Sequence, residues 1–167
     1  MKNTYALITG ASSGIGLEIA YKLAEKGYGI ILTARREDRL ITYTNEIKDN
    51  HGVNVDYVTG DLAMPETPQN IYNFCKDKNY SVEVLVNNAG YGIPSQFHKT
   101  SMEDEEKSIR VLSTSVIALS KAFIPDMLEN KSGKIMIISS VASFTPPSTI
   151  QVLYGPLKTF MNRFSDA

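Results

Sequence analysis

Apolar residues recur along this chain in two alternating rhythms. Short, nearly continuous runs (Tyr5-Ala6-Leu7-Ile8, Ile30-Ile31-Leu32, Val82 to Val86, Ile135 to Ile138) have the length of strands buried on both faces. Between them lie stretches with apolar residues three or four apart, the spacing of helices with one buried side. Ile15, Ile19 and Leu23, with Ala20 and Ala24 beside them, give the first such face. A polar helix is predicted from Glu37 to about Asp49. Gly27 and His51-Gly52 close the first two helices, with His51 read as a C-terminal cap rather than a ligand. Val53 to Val58 alternates apolar with polar, as a half-exposed strand at a sheet edge does. Pro65 and Pro68 bracket the start of a third helix running to about Lys78.

Ser101-Met102-Glu103-Asp104 resembles a capping box, and the acids up to Glu106 read as a solvated first turn, not a metal site. Ile109, Leu112, Val116, Leu119 and Phe123 then form one packing stripe, as core or as a helix–helix interface. A fifth strand is predicted over Lys134 to Ser139, and a last helix from Tyr154 towards Ala167. Strands thus alternate with helices throughout. The pattern predicts an α/β fold, a doubly wound parallel sheet of Rossmann-like type, forming a single domain over residues 1–167. In such sheets ligands bind beyond the carboxyl ends of the strands.

Composition narrows the function. A chain of 167 residues with 43% hydrophobic and 21% charged residues can build one ordinary core. A formal net charge of -1 argues against nucleic-acid binding by bulk charge. The lone cysteine, Cys75, reads as a small buried residue on a helix. Met1-Lys2-Asn3-Thr4 leads straight into the first strand, without a leader pattern or a run long enough to span a membrane. The expectation is a cytoplasmic protein with no membrane or metal partner.

The candidate chemistry sits at strand ends. Thr9-Gly10-Ala11-Ser12-Ser13-Gly14-Ile15-Gly16 joins the first strand to the first helix. Glycines let the backbone turn sharply, and unpaired N–H groups at a helix start attract phosphate. The spacing is G-x-x-x-G-x-G rather than G-x-G-x-x-G, and alone it also fits a plain glycine-rich turn. Arg35-Arg36, Asp61, Asn87 to Gly90 and Ser139-Ser140 fall at the same sheet edge, which favours a phosphate cradle. A dinucleotide site for NAD usually holds a carboxylate after the second strand. Here Thr33-Ala34-Arg35-Arg36 offers guanidinium groups instead, so NADP(H) is predicted over NAD(H). The same arginines could simply decorate a helix start.

Taken together these residues resemble the short-chain dehydrogenases/reductases. Thr9 to Gly16 resembles the family's cofactor motif, Asn87-Asn88-Ala89-Gly90 its second signature, and Ser140 with Tyr154-x-x-x-Lys158 its catalytic group. The resemblance implies a cofactor held by Gly10, Ser12, Ser13, Gly14, Ile15, Gly16, Arg35, Arg36, Asp61, Leu62, Asn88, Ala89, Gly90, Tyr154 and Lys158. It implies a carbonyl or alcohol substrate, with Tyr154 exchanging a proton, Ser140 hydrogen-bonding the substrate oxygen and Lys158 holding the nicotinamide ribose. The four-residue step puts Tyr154 and Lys158 on one helix face, where an ammonium favours phenolate. A homo-dimer or homo-tetramer is implied as well.

Three departures stand against that pattern. Leu112 occupies the place where the family commonly has an asparagine, and leucine cannot hydrogen-bond. Pro156 and Leu157 replace small residues before Lys158, so the last helix must start near Tyr154 for the proline to fit its first turn. The sequence ends in the sixth helix, whereas the family usually continues to roughly 250 residues. That would leave the fifth strand at an open sheet edge. The alternative expectation is therefore a dinucleotide-binding protein without catalysis, acting as a sensor, partner subunit or remnant.

Overall fold

The computed structural model describes residues 4–167, so the expectation for Met1-Lys2-Asn3 lies outside the described residues. Five strands, β1 (Thr4–Thr9), β2 (Gly29–Ala34), β3 (Val55–Thr59), β4 (Ser81–Asn87) and β5 (Lys134–Ile137), form one sheet in the order β3-β2-β1-β4-β5. Every pairing is parallel. The helices are α1 (Gly14–Glu25), α2 (Glu37–His51), α3 (Thr67–Asp77), α4 (Met102–Ile109), α5 (Ser115–Glu129) and α6 (Tyr154–Asp166). This is the doubly wound architecture the alternation predicts, and the chain reverses direction across the sheet between β1 and β4.

Strand alternation divides the core into two layers. Tyr5 and Leu7 face one side with Ile31 and Leu85, meeting Ile71 and Cys75 of α3 and Leu119 and Phe123 of α5. Ala6 and Ile8 face the other with Ile30, Leu32, Val84 and Val86, against α1 and α2. On α1 the buried face is Leu17, Ala20 and Ala24, and Ile15 is 62% exposed. Ile19 and Leu23 are only half-buried, so the buried face is turned towards Gly16, Leu17, Ala20 and Ala24 and away from the Ile15, Ile19 and Leu23 row the periodicity predicts. Gly52, at φ 63, is the residue that caps α2, with its N–H donating to Lys48 O at 2.9 Å; His51 is the last helical residue.

The helical stretch Met102–Glu129 is long and apolar enough to cross a membrane by length and composition, contrary to the sequence expectation. Its stripe is instead spent inside the fold: Leu119 and Phe123 on the sheet, Leu112 and Val116 on Met161 of α6. One wider π-type turn, Arg110–Thr114, separates α4 from α5. It lets two consecutive side chains point inwards, Val111 to the layer under α5 and Leu112 to α6. The acidic first turn of α4 is not wholly solvated either. Ser101 caps it by accepting from Asp104 N–H at 3.1 Å, but Glu105 is buried and accepts from the Thr100 hydroxyl at 2.6 Å. β5 is shorter than predicted and pairs only with β4 among the described strands, leaving its other side an open edge. Helix α6 starts at Tyr154, with Pro156 in its first turn where a missing N–H costs nothing.

Candidate nucleotide and catalytic site

The loop between β1 and α1 is tied to two neighbouring segments, β2 and the start of α2. Ala11 N–H donates to Thr33 O of β2 at 3.2 Å. Arg36, just before α2, donates from Nη2 to Ser12 Oγ at 2.8 Å and to Ser13 Oγ at 2.9 Å. Gly10 and Gly14 take φ of 67 and 59, backbone that other residues rarely adopt. One guanidinium and two hydroxyls are thereby gathered at the start of a helix, a donor set matched to phosphate.

The floor of this loop is knotted by Thr9, a residue the motif reading does not single out. Its buried hydroxyl donates to Val86 O at 3.2 Å and accepts from Asn88 N–H at 2.9 Å and Ala89 N–H at 3.0 Å. Asn88 answers from the other side, its Nδ2 donating to Thr9 O at 2.9 Å. Gly16 packs against that amide: a Cβ there would collide with Asn88 and lie 2.7 Å from Gly10 O. Thus the first helix, β1 and the turn after β4 are locked as one piece.

Above this floor lies an open cleft of about 200 Å³ at the carboxyl ends of the strands. Nine of the predicted residues line it: Gly10, Ser12, Ser13, Arg35, Arg36, Asp61, Leu62, Ala89 and Gly90. Gly14, Ile15, Gly16 and Asn88 lie outside its lining, the last two as packing behind the floor. Thr33, Ala34, Gly60, Tyr91 and Val111 line the cleft without having been predicted. Arg35 Nη1 stands 4.0 Å from Asp61 Oδ2, the arginine largely exposed and the aspartate half-buried. The lining combines glycine backbone and polar side chains with the apolar side chains of Leu62 and Val111.

The Tyr154/Lys158 pair lies beside the cleft. Lys158 is buried, its Nζ donating to Ile138 O at 2.7 Å and standing 5.7 Å from the Tyr154 ring centre. Burial pulls this ammonium below the usual lysine range. Its Nζ is 3.5 Å from where a side chain on Gly90 would begin, which joins the pair to the cleft lining. Leu112 Cδ2 is 2.7 Å from the same point, so the leucine fills the space above Gly90. Ser140 opens a short 3-10 turn, its hydroxyl accepting from Ala142 N–H at 3.1 Å. Gly155 of α6 packs against Ala142 O, which brings that turn alongside the start of the helix.

The profile described as short chain dehydrogenase matches residues 4–167, and the chain belongs to this family. A probable NADP-dependent dehydrogenase of Haemophilus influenzae is 34% identical over 166 residues, covering 99% of this chain and 64% of that protein. Among solved structures, a short-chain dehydrogenase from Sphingobium yanoikuyae in complex with NADPH superposes with a TM-score of 0.90 at 31% identity. It covers 98% of this chain and 63% of the other. The L-sorbose reductase of Gluconobacter frateurii, complexed with NADPH and L-sorbose, gives a TM-score of 0.89 at 30% identity, covering 99% and 64%. The chain therefore spans just under two thirds of the length of each of these relatives.

Proposed function

We propose that the chain is the cofactor-binding and proton-transferring part of an NADP(H)-dependent oxidoreductase acting on a carbonyl or alcohol substrate. The observation that carries this reading is the junction at Gly90, where the nucleotide cleft meets the buried Lys158 ammonium and, beside it, Tyr154. The NADP-dependent relative and the NADPH-bound neighbours support the choice of cofactor. Arg36, held by Ser12 and Ser13, would meet the added phosphate, and the N-terminus of α1 the bridging phosphates. Bound there, the cofactor supplies a hydride.

In this reading Tyr154 gives a proton to the substrate oxygen in reduction and takes it in oxidation, while the Ser140 hydroxyl holds that oxygen. Lys158, fixed by Ile138 O, orients the ribose and keeps positive charge beside the phenol. A cytoplasmic place and a homo-dimer or homo-tetramer belong to the same proposal. So does a single dinucleotide-binding domain. Turnover of a ketone panel with NADPH tests the chemistry: Tyr154→Phe, which keeps the ring and removes the proton-carrying hydroxyl, should abolish it. Unchanged turnover would refute the assignment.

One observation favours a second reading, binding without turnover. Leu112 is wholly buried over Gly90, where it offers an apolar surface and no hydrogen bond. NADPH binding by a pure chain that turns over no carbonyl or alcohol would support this reading, and robust turnover would end it.

A further inference from the structure

We propose that Asn162 is a positioning residue of the reaction, fixing Ser140 against Tyr154 and Lys158 through the hydroxyl of Ser143. The inference rests on the catalytic reading of those three residues and names a side chain outside their motif. Ser140 opens the short turn Val141–Ser143, and none of the turn's three residues is buried. Val141 is 79% exposed, and Phe144, which follows the turn, is 83% exposed. Three residues of 3-10 helix have poor hydrogen-bond geometry of their own, and here no apolar packing holds them. Yet the Ser140 hydroxyl takes its direction from this turn. It accepts from Ala142 N–H at 3.1 Å, which leaves its proton free for a substrate oxygen. Whatever places the turn therefore places that proton.

The hydroxyl protons define what does so. Ser143 gives its one proton to Ser140 O, a pure acceptor, and its oxygen accepts from Asn162 Nδ2 at 2.7 Å. Because that proton is committed, only the nitrogen end of the Asn162 amide can face Ser143, so the chain from Asn162 to Ser143 to Ser140 has a single direction. Thr159 stands near the same turn, 3.3 Å from Ser143 O, but its proton has a closer acceptor in Gly155 O of its own helix at 3.0 Å. On the other side of Ser140, the Ser139 hydroxyl donates to Lys158 O at 3.0 Å. Ser140 is thus held from both flanks by α6, at Lys158 and at Asn162. Tyr154, Lys158 and Asn162 follow at four-residue steps, so one helix face carries the phenol, the ammonium and the amide that fixes the turn.

The test is steady-state reduction of the ketone panel with NADPH by the 167-residue chain, with NADPH affinity measured beside it. Asn162→Ala and Ser143→Ala should each lower kcat about ten- to hundredfold, the scale of an ångström-sized misplacement of a reacting group. KM and NADPH affinity should stay within about twofold, because neither residue lines the nucleotide cleft. The double variant should lose no more than either alone, since both act through one connection. Asn162→Asp tests the direction: a carboxylate only accepts, draws the Ser143 proton off Ser140 O, and should cost at least as much as alanine. Isosteric with the parent, it also decides the question should an alanine variant fold poorly. Ser143→Thr, which keeps the hydroxyl, should recover most of kcat, and Thr159→Ala should leave it unchanged. A kcat within about twofold of the parent in Asn162→Asp and Asn162→Ala, while Ser140→Ala is impaired, would overturn the inference and leave the catalytic reading standing. So would an equal loss in Thr159→Ala, or a loss confined to KM. Unchanged turnover in Ser140→Ala, or a parent chain that reduces no ketone, would overturn both.

Discussion

Replacing Thr9 with valine keeps the shape of the side chain and removes one hydroxyl. In the folded protein that hydroxyl joins β1 to the turn after β4, accepting from the N–H groups of Asn88 and Ala89. The two losses are unequal. Asn88 N–H keeps a second acceptor, Val86 O at 3.1 Å, so it forfeits about 0.5–1.5 kcal/mol. Ala89 N–H loses its acceptor outright, which costs about 1–3 kcal/mol. Val86 O in turn loses a donor but keeps the Asn88 N–H. The sum is about 1.5–4.5 kcal/mol, and in a chain of this size each kcal/mol lowers Tm by roughly 2–4 °C. Urea denaturation of Thr9→Val should show that loss, and Thr9→Ser should recover most of it. NADPH affinity should fall with it, because Asn88 and Ala89 carry the cleft floor. A Thr9→Val protein within about 0.5 kcal/mol of the parent would refute the idea that this hydroxyl holds the site together.

Four further outcomes follow from the same geometry. Gly16→Ala drives a methyl into the Asn88 amide and to 2.7 Å from Gly10 O, so it should lose about 1–3 kcal/mol by denaturant titration together with its NADPH affinity. Leu112→Ala empties a fully buried position and should cost about 2–5 kcal/mol in the same assay. Because burial lowers the Lys158 pKa below the ordinary 10.5, the folded chain sheds this proton at a lower pH than the unfolded one. The cost of burying the charge is full below the lowered value and is relieved as pH rises from it towards 10.5, so the parent should gain stability relative to Lys158→Met over that window. Cys75, pushed up to about 12 by burial, should resist thiol reagents at neutral pH until urea unfolds the chain.

What could be read from the amino acids was whatever a local pattern encodes. The β1–turn–α1 unit, β3 as an edge strand and the start of α6 at Tyr154 all depend on short-range rhythm, glycine or proline, and the structure has them there. Nine of the predicted cofactor residues line the cleft because each follows a strand, and a parallel sheet aligns its strand ends. The failures are tertiary. Ile15 obeys the helical period, but only packing decides that the helix turns Leu17, Ala20 and Ala24 to the sheet instead. Glu105 looks like any acid in a first turn until Thr100 folds over it. Val111 reaches the cleft through a wide helical turn that no residue type announces. Thr9 could have been suspected as a hydroxyl at the end of a buried strand, yet its three partners lie near residue 88 in a distant part of the chain.

The central claim is that the cleft accepts a nicotinamide dinucleotide and reads its extra phosphate with Arg36. Fluorescence titration of the purified chain with NADPH and with NADH tests it most directly. One charge-assisted contact to a phosphate is worth about 1.5–3 kcal/mol, so NADPH should bind at least roughly tenfold more tightly, and Arg36→Ala should erase the difference. Equal affinity for the two cofactors, or a preference for NADH, would contradict the account.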